Sequence, residues 1–397
     1  MIPYLLMIFL YVLAAVLMAV EASFADFGLL DWFNGMVWLR VHFVTLGMLV
    51  QSFFGLMPLL VAHHHSLPRP ETRWDIWALL NIGMVLLLIG IPLTSRVPII
   101  AGGTLTFMAT VLLMVQLGKM RPVTNQKPSA GRRFYIVGLI TFLLGILVGT
   151  GLFTGWSDTL LITGNPAEVH IHANLWGMMS LVFAGLLVDL YAVWGKRPFF
   201  NPNAITPIFW LLTVGAFGLI FGPWFDTLYL TGPGLLLHFV ATMWLLFSII
   251  KPLRESKEKI SIGMWHLIVS YFWLFGPLFI APLIALFIPL PADVIGAGAP
   301  QALVYGWTLQ YGMAMVPYIF QRFFFNDEQA ELGGTKVSFV LVNLGAVFLW
   351  ASIFAEPVRG TLHGMAYLLW AIALIPIVID LWQKVREGMR GVETAVS

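Results

Sequence analysis

The sequence predicts an all-α polytopic membrane protein. Of its 397 residues, 59% are hydrophobic and only 10% are charged, whereas soluble globular domains carry about 25% charged residues. The mean hydropathy of +0.89 agrees with this class. Only helices and closed barrels satisfy the backbone polar groups in lipid, and long apolar runs do not suit barrel strands of about ten alternating residues. We therefore expect a transmembrane helical bundle.

Cutting the chain at charges and at Pro/Gly clusters predicts twelve transmembrane helices. They lie near residues 2–20, 41–62, 76–94, 97–118, 134–155, 169–194, 204–223, 232–250, 262–289, 300–321, 337–355 and 362–383. Each is long enough to cross a hydrocarbon core of about 30 Å. The first has no basic region before it and no small-residue cleavage site after it, so we expect a retained helix. No long polar segment intervenes, so we expect one domain over residues 1–397.

Basic residues concentrate on one side of this predicted path. Of the 21 Lys and Arg residues, all but Arg40, Arg96 and Arg359 follow even-numbered helices or lie in the C-terminal tail. The positive-inside rule then places both termini in the cytoplasm, and we expect the inner membrane of a prokaryote. Arg96 and Arg359 stand where positive charge is unexpected, so they are candidates to pair with an anionic group such as a heme propionate. Orientation explains the other basic residues without nucleic acid.

Polar side chains recur near the start of the even-numbered spans. A serpentine path brings them to one depth, toward the outer face: His42, His170, His172, His238, Gln301 and His363. Neutral imidazoles are the usual axial ligands of heme iron and common ligands of copper. Because ionisable residues inside a membrane are costly, we treat the five histidines as candidate metal and cofactor ligands. The alternative is that each imidazole only forms hydrogen bonds between helices.

The His170-x-His172 pair is the strongest local signal. On a helix, residues two apart turn their side chains about 200° from each other. We therefore expect these imidazoles to serve two sites, one on each side of the helix, rather than one metal. The first interhelical partners to consider are His42, His238 and His363.

Three even-numbered spans share an internal pattern. A glycine follows His42, His172 and Gln301 by five residues, at Gly47, Gly177 and Gly306, and the second and tenth spans also share Gln and Pro at offsets of nine and sixteen. This spacing predicts three four-helix arcs around a pseudo-threefold axis. Gly47 and Gly177 would let a flat macrocycle or a neighbouring helix approach closely. Small-residue helix packing alone is the alternative.

Other polar residues carry less weight. The chain contains no cysteine, which excludes disulfides, iron–sulfur clusters, covalently attached c-type heme and thiolate-bridged copper. His266 lies away from the histidine layer and is expected to form a structural hydrogen bond. We expect His63, His64 and His65 to be solvated, with a surface metal site as the alternative. Asp189 and Asp380 are expected to cap or orient helices.

Two motifs resemble the heme-copper oxidase subunit I superfamily. The stretch 41–88 contains VHFVTLGMLVQSFFGLMPLL followed by RWDIWALLNIG, and is similar to the second and third helices of that family, including Asp75 and Asn81. HIHANLWGMM, beginning at His170, resembles the family's His-x-His motif, in which one histidine binds low-spin heme and the other high-spin heme. Twelve helices in three arcs also fit that fold. Here, however, the motif begins the sixth rather than the tenth span, and the seventh span has no histidine.

The resemblance implies a membrane protein that binds one or two hemes b, with copper left open. It implies His42 with one of His170 and His172 as low-spin ligands, and the other with His238 or His363 at a second heme or metal. Quinol or a cytochrome would donate electrons, dioxygen or nitric oxide would be reduced or bound, and further membrane subunits are expected. Enzymatic turnover as a terminal oxidase or nitric oxide reductase stays open. The alternatives are a non-catalytic heme or nitric oxide sensor or assembly protein, and a metal-ion or proton-coupled transporter.

Overall fold

The computed structural model describes residues 1–29, 37–123, 129–256, 259–287, 289, 292–325 and 327–396. Their regular secondary structure is entirely helical. Ten of the described helices are long and apolar enough to cross a membrane. This confirms the prediction of an all-helical polytopic membrane protein in a lipid bilayer, while the count of twelve spans and the heme-copper oxidase arrangement stay predictions.

The helices follow the predicted spans closely. In chain order they are α1 (Ile2–Asp26), α2 (Val37–His64), α3 (Trp74–Gly90), α4 (Arg96–Lys119), α5 (Ala130–Thr154), α6 (Pro166–Trp194), α7 (Ile205–Trp224), α8 (Leu228–Glu255), α9 (Ile262–Ala285), α10 (residues 292–324), α11 (Lys336–Phe354) and α12 (Arg359–Val396). Of these, α3, with 17 residues, and α10 are not among the ten. The largest difference from prediction is at the end of α12, 13 residues past the predicted end at residue 383. Helices α1 and α2 also extend past the charges at which the spans were cut.

Local sequence explains where several helices begin. The Asn165 side chain accepts hydrogen bonds from the first two backbone N–H groups of α6, and Pro166 follows at the first helical position. Ser129 caps α5 in the same way. Thr335 and Ser338 form a reciprocal capping box at the start of α11. Such caps satisfy N–H groups that have no partner within the helix.

The chain divides into two compact units, Met1–Ser52 with Lys259–Ser397 as unit 1 and Phe53–Glu258 as unit 2. In unit 1, α1 packs against α12 and the first part of α2, and α9 packs against α10. In unit 2, α6 packs between α5 and α7, and α7 packs along α8. The expectation of a single domain stays a prediction.

The predicted repeat corresponds to a shared backbone feature. Helices α2, α6 and α10 each widen into a π-helical segment, at Phe43–Val50, Ala173–Met179 and Val304–Leu309. Each segment contains the glycine of the repeat. π-helical turns inside α-helices are rare, and those that occur often lie at functional sites.

Each repeat glycine lies against the preceding helix. A Cβ atom would come within 2.7 Å of Tyr11 at Gly47, within 2.6 Å of Thr141 at Gly177 and within 2.6 Å of Trp273 at Gly306. A neighbouring side chain therefore occupies the space beside each of these glycines. Their predicted role beside a macrocycle stays a prediction, while close helix packing is observed at all three.

Candidate functional site

The two imidazoles of the His-x-His motif face different helices. The Nδ1–H of His170 donates to the carbonyl of Gly145 on α5, at 2.8 Å. The Nδ1–H of His172 donates to the carbonyl of Leu219 on α7, at 2.6 Å. A backbone carbonyl can only accept, so each contact identifies the proton-bearing nitrogen. The two imidazoles therefore face opposite sides of α6, while their use in two separate sites stays a prediction.

Pro223 explains why the Leu219 carbonyl is available to His172. In an α-helix this carbonyl would accept the N–H of the residue four positions later. That residue is Pro223, which lies inside α7 and has no N–H group. The His172 imidazole therefore satisfies an acceptor that the helix itself cannot satisfy.

Glycines on α5 make room for the His170 side of α6. A Cβ atom at Gly149 would come within 2.5 Å of the His170 ring, and one at Gly145 would come within 2.5 Å of Asn174. Contacts this short would displace the imidazole or its helix. The absence of side chains at these two positions thus fixes the position of His170 against α5.

His238 is held differently from the other histidines of unit 2. It is fully buried, its Nε2 lies 2.8 Å from the Ser180 hydroxyl and its Nδ1 lies 3.4 Å from the Thr242 hydroxyl. The Trp176 ring packs edge-on against it. Because both ring nitrogens face hydroxyl groups, His238 has the environment of a structural imidazole and is a weaker ligand candidate than His170 or His172.

Unit 1 contains the other two histidine candidates. The Nδ1–H of His42 donates to the Trp38 carbonyl one turn earlier, at 2.7 Å, and the two rings stack with centroids 4.2 Å apart. The Nδ1 of His363 lies 2.6 Å from a carboxylate oxygen of Asp26. Gln301, which occupies the histidine position in the third repeat, instead bonds to Tyr367 and to its own helix.

Four of the five candidate histidines share one tautomer. In His42, His170 and His172 a carbonyl accepts the Nδ1 proton, and in His363 a carboxylate does. In each neutral ring the lone pair is therefore on Nε2. Metal-ligating histidines in proteins commonly show this arrangement, in which a carbonyl or carboxylate orients the ring through the nitrogen that does not bind the metal.

Sequence reasoning missed a buried ion pair in unit 1. The Arg40 side chain, 4% exposed, lies 3.3 Å from a carboxylate oxygen of Glu21, whose side chain is 11% exposed. The guanidinium also lies 5.2 Å from the centre of the Tyr367 ring. The sequence contained an indication of this pair, because Arg40 is one of only three basic residues on the side with few Lys and Arg. The prediction, however, placed Arg40 in a loop.

Aromatic side chains surround this ion pair. The Tyr305 hydroxyl donates to the Arg40 carbonyl at 3.0 Å, and the Tyr305 ring stacks on Trp370 with centroids 4.2 Å apart. Tyr367 donates to Gln301. The Arg40 Nε and one Glu21 oxygen are buried without a hydrogen-bond partner among the described residues. This network therefore has a donor and an acceptor left over inside an apolar unit.

The two arginines predicted to bind propionates both lie at the starts of helices. Arg96 is exposed at the start of α4. Arg359 is half-buried at the start of α12, and its Nε donates to the Ser352 carbonyl at 3.3 Å. Their role as partners of an anionic group stays a prediction.

A second polar network lies in unit 2, around Asp189. This carboxylate accepts hydrogen bonds from the Ser129 hydroxyl at 3.1 Å, the Gly131 N–H at 3.1 Å and the Tyr135 hydroxyl at 2.9 Å. His64 Nε2 lies 3.6 Å away. Asp189 thus stabilises the start of α5, which confirms the expectation that it caps or orients a helix. Asp380 pairs with Lys384 within α12, at 2.6 Å.

His65 lies next to this network and is fully buried. The expectation that it is solvated was therefore wrong. Its Nε2 accepts the Ser129 N–H at 3.0 Å, and its Nδ1 donates to the Met120 carbonyl at 3.0 Å. Burial lowers the pKa of this imidazole below its usual value, because desolvation disfavours the charged form. His63 and His64 are exposed, as expected, and His266 forms the expected structural contact, 3.1 Å from Ser338.

Among the residues that the structure describes, no three His, Cys, Asp or Glu side chains are grouped closely enough to hold a metal ion. No protein-family model matches this sequence, and no curated protein shows significant similarity to it.

Proposed function

We propose that this protein is a heme-binding integral membrane protein of the heme-copper oxidase subunit I type. One observation carries the proposal. His170 and His172 each donate Nδ1–H to a backbone carbonyl, on α5 and α7 respectively, which assigns the Nε2 lone pair on both sides of one helix. The residues fit heme because bis-imidazole and mono-imidazole heme sites use this neutral tautomer.

His170 and His172 would hold heme b, with His42 and His363 as further axial-ligand candidates. Only the sequence motif supports the pairing of His42 with His170 or His172 at one heme. Bound heme would supply one-electron transfer and, with an open axial position, binding of dioxygen or nitric oxide. Copper is not part of the proposal. Electrons would come from quinol or a cytochrome, at an inner membrane with both termini in the cytoplasm.

The residues of the chain would do three things for this chemistry. The Gly145 and Leu219 carbonyls would orient the imidazole rings. The apolar helices would exclude water, which keeps the imidazoles neutral and able to act as ligands. The Glu21–Arg40 pair would hold a charge next to the Tyr305–Tyr367 cluster in unit 1. Of Arg40, Arg96 and Arg359, Arg40 is the one with a buried nitrogen, Nε, that has no hydrogen-bond partner among the described residues.

The proposal is tested by the absorption spectrum of the protein purified in detergent. We expect sharp reduced-minus-oxidised heme b bands and about one or two hemes per chain by pyridine hemochrome assay. Oxygen and nitric oxide consumption with a quinol donor then separates an enzyme from a sensor or assembly protein. A folded, colourless preparation from cells supplied with heme precursor would contradict the proposal.

A proton-coupled transporter is the second candidate, and the Glu21–Arg40 pair specifically favours it. Buried charges inside membrane helices commonly mark ion or proton pathways. The two candidates differ in one measurement. In heme-free proteoliposomes, a transporter would move protons or metal ions in a manner that Glu21→Gln abolishes, whereas a heme protein would not.

A further inference from the structure

A cavity lies at the C-terminal end of α8 in unit 2, apart from all the histidines considered above. Its volume is about 460 Å³, and it is open to the surface along one side of the helix. The lining residues are Phe247, Ile250, Lys251, Arg254 and Glu255. One end of the cavity is therefore apolar and the other carries two cations and one carboxylate.

The backbone around this cavity is arranged by a proline. Pro252 lies inside α8 and has no N–H, so the Ser248 carbonyl cannot receive its usual helical hydrogen bond. That carbonyl instead accepts the N–H of Phe200 at 3.1 Å. The contact docks the segment after α6 onto α8 and places the Phe200 ring beside the cavity.

Aromatic rings hold the Lys251 side chain in place. The Nζ of Lys251 lies 3.8 Å from the centre of the Phe200 ring and 5.8 Å from that of Phe247. The two rings are themselves 5.7 Å apart and nearly perpendicular. A cation over an aromatic face keeps its charge while its position is restricted. Lys251 is thus pre-positioned, unlike an ordinary surface lysine.

The charge balance at the polar end favours an anion. Lys251 and Arg254 contribute two positive charges, and Glu255, whose oxygen lies 4.0 Å from the Lys251 ammonium, contributes one negative charge. Phe247 is 54% exposed on a helix that is long and apolar enough to cross a membrane. An occupant must therefore combine an anionic group with an apolar portion.

We propose that this cavity binds an anionic phospholipid, with the phosphate between Lys251 and Arg254 and an acyl chain along Phe247 and Ile250. Basic pockets at the ends of transmembrane helices recognise lipid headgroups in this way. Arg favours phosphate oxygens because its planar guanidinium can donate two hydrogen bonds. The proposal is independent of heme binding.

The test is native mass spectrometry of the full chain, delipidated in neutral detergent and titrated with phosphatidylglycerol, phosphatidylcholine or inorganic phosphate. We expect phosphatidylglycerol to bind more tightly than phosphatidylcholine. The double variant K251Q/R254Q should weaken phosphatidylglycerol binding about 10- to 30-fold. The matched control K119Q/R121Q, which removes an exposed Lys and Arg at the end of α4, should bind it as the wild type does.

Two further variants separate a lipid from a free phosphate. Ile250→Ala should weaken phosphatidylglycerol binding and leave inorganic phosphate binding unchanged, because Ile250 lines the apolar end of the cavity and, unlike Phe247, is not one of the rings that hold Lys251. Glu255→Gln should tighten phosphatidylglycerol binding a few-fold by removing a competing charge. Equal losses in K251Q/R254Q and K119Q/R121Q, equal binding of both lipids, or phosphate binding as tight as that of phosphatidylglycerol would overturn the proposal.

Discussion

The buried arginine of unit 1 and the His-x-His imidazoles of unit 2 are stabilised by different means. In unit 1 opposite charges meet directly in the Glu21–Arg40 pair. In unit 2 the imidazoles of His170 and His172 are held by backbone carbonyls. The difference is chemical. An ion pair stabilises two groups through their mutual attraction, whereas a carbonyl that accepts the Nδ1 proton of a neutral imidazole leaves the lone pair on Nε2, where a metal can bind.

The Asp189 network shows that unit 2 can also hold a charge, and it does so mainly with neutral donors. Ser129, Gly131 and Tyr135 supply the hydrogen bonds, and the nearby His64 is partly exposed. Buried charges can therefore be satisfied by hydroxyl and amide dipoles as well as by a counter-ion. The comparison predicts different responses to substitution in the two units.

The largest effect is expected from breaking the buried pair of unit 1. Arg40→Met leaves the Glu21 carboxylate without its counter-ion, and we expect a loss of about 3–5 kcal/mol in the free energy of unfolding. Arg73→Met, which breaks the exposed Arg73–Asp75 pair, should cost about 1 kcal/mol or less. Unfolding by dodecyl sulfate titration in mixed micelles measures both.

The double variant Glu21→Leu/Arg40→Met tests whether the lost stability comes from the unpaired charge. Because it removes both charges, it should recover most of the stability that Arg40→Met loses. Equal stability of Arg40→Met and Arg73→Met would show that the Glu21–Arg40 pair is not desolvated, and the contrast between the units would disappear.

The next effect concerns Asp189. Asp189→Asn keeps the shape of the side chain but presents an NH₂ group to donors that need an acceptor. We expect a cost of about 2 kcal/mol in the free energy of unfolding. Asp380→Asn, in the half-exposed pair with Lys384, is the control and should change stability by well under half of that. A reversed order would refute the description of Asp189 as a buried helix cap.

The role of Pro223 is tested without touching an imidazole. Pro223→Ala restores an N–H that competes with His172 for the Leu219 carbonyl. We expect heme affinity to fall about 10-fold, as for other residues that orient a metal ligand, while the helix itself is not destabilised. Heme titration of the apoprotein measures the affinity, with Pro376→Ala in α12 as control. Unchanged heme affinity in Pro223→Ala would show that Pro223 does not help to orient His172.

The smallest effect is a pH dependence at His65. Its pKa is lowered by burial in the folded protein, so the unfolded chain takes up the proton first. Stability should be fully present above about pH 6.5 and should fall as the pH decreases toward the folded-state pKa. Melting temperatures between pH 5 and 8 should show a shallower acid decline in His65→Gln than in the wild type. His63→Gln, at an exposed position, should follow the wild-type curve.

The sequence predicted the helices well because long apolar runs leave the backbone few alternatives in lipid. It also predicted the opposed faces of His170 and His172, since these depend only on helical periodicity. The π-helical segments were not predicted. Their hydrogen-bond register has no side-chain signature beyond the glycine that each contains.

Charged residues near helix ends were the main source of error. Cutting spans at charges placed Glu21, Asp26 and Arg40 in loops, but the helices include all three. A charge need not end a membrane helix when it is paired, and here Glu21 and Arg40 pair with each other. The burial of His65 had a similar cause, because its partners at Ser129 and Met120 are more than fifty residues away along the chain. Long-range partners of this kind cannot be inferred from local sequence.

We propose that heme is held by imidazoles whose tautomer is fixed by a backbone carbonyl, and not by burial alone. This proposal is tested most directly by heme content per chain in His170→Gln, His172→Gln and His238→Gln, each compared with the wild type at equal helicity by circular dichroism. We predict substantial loss of heme in the first two variants and wild-type content in His238→Gln, since both nitrogens of His238 face hydroxyl groups. Loss of heme in His238→Gln with retention in both other variants would contradict the account.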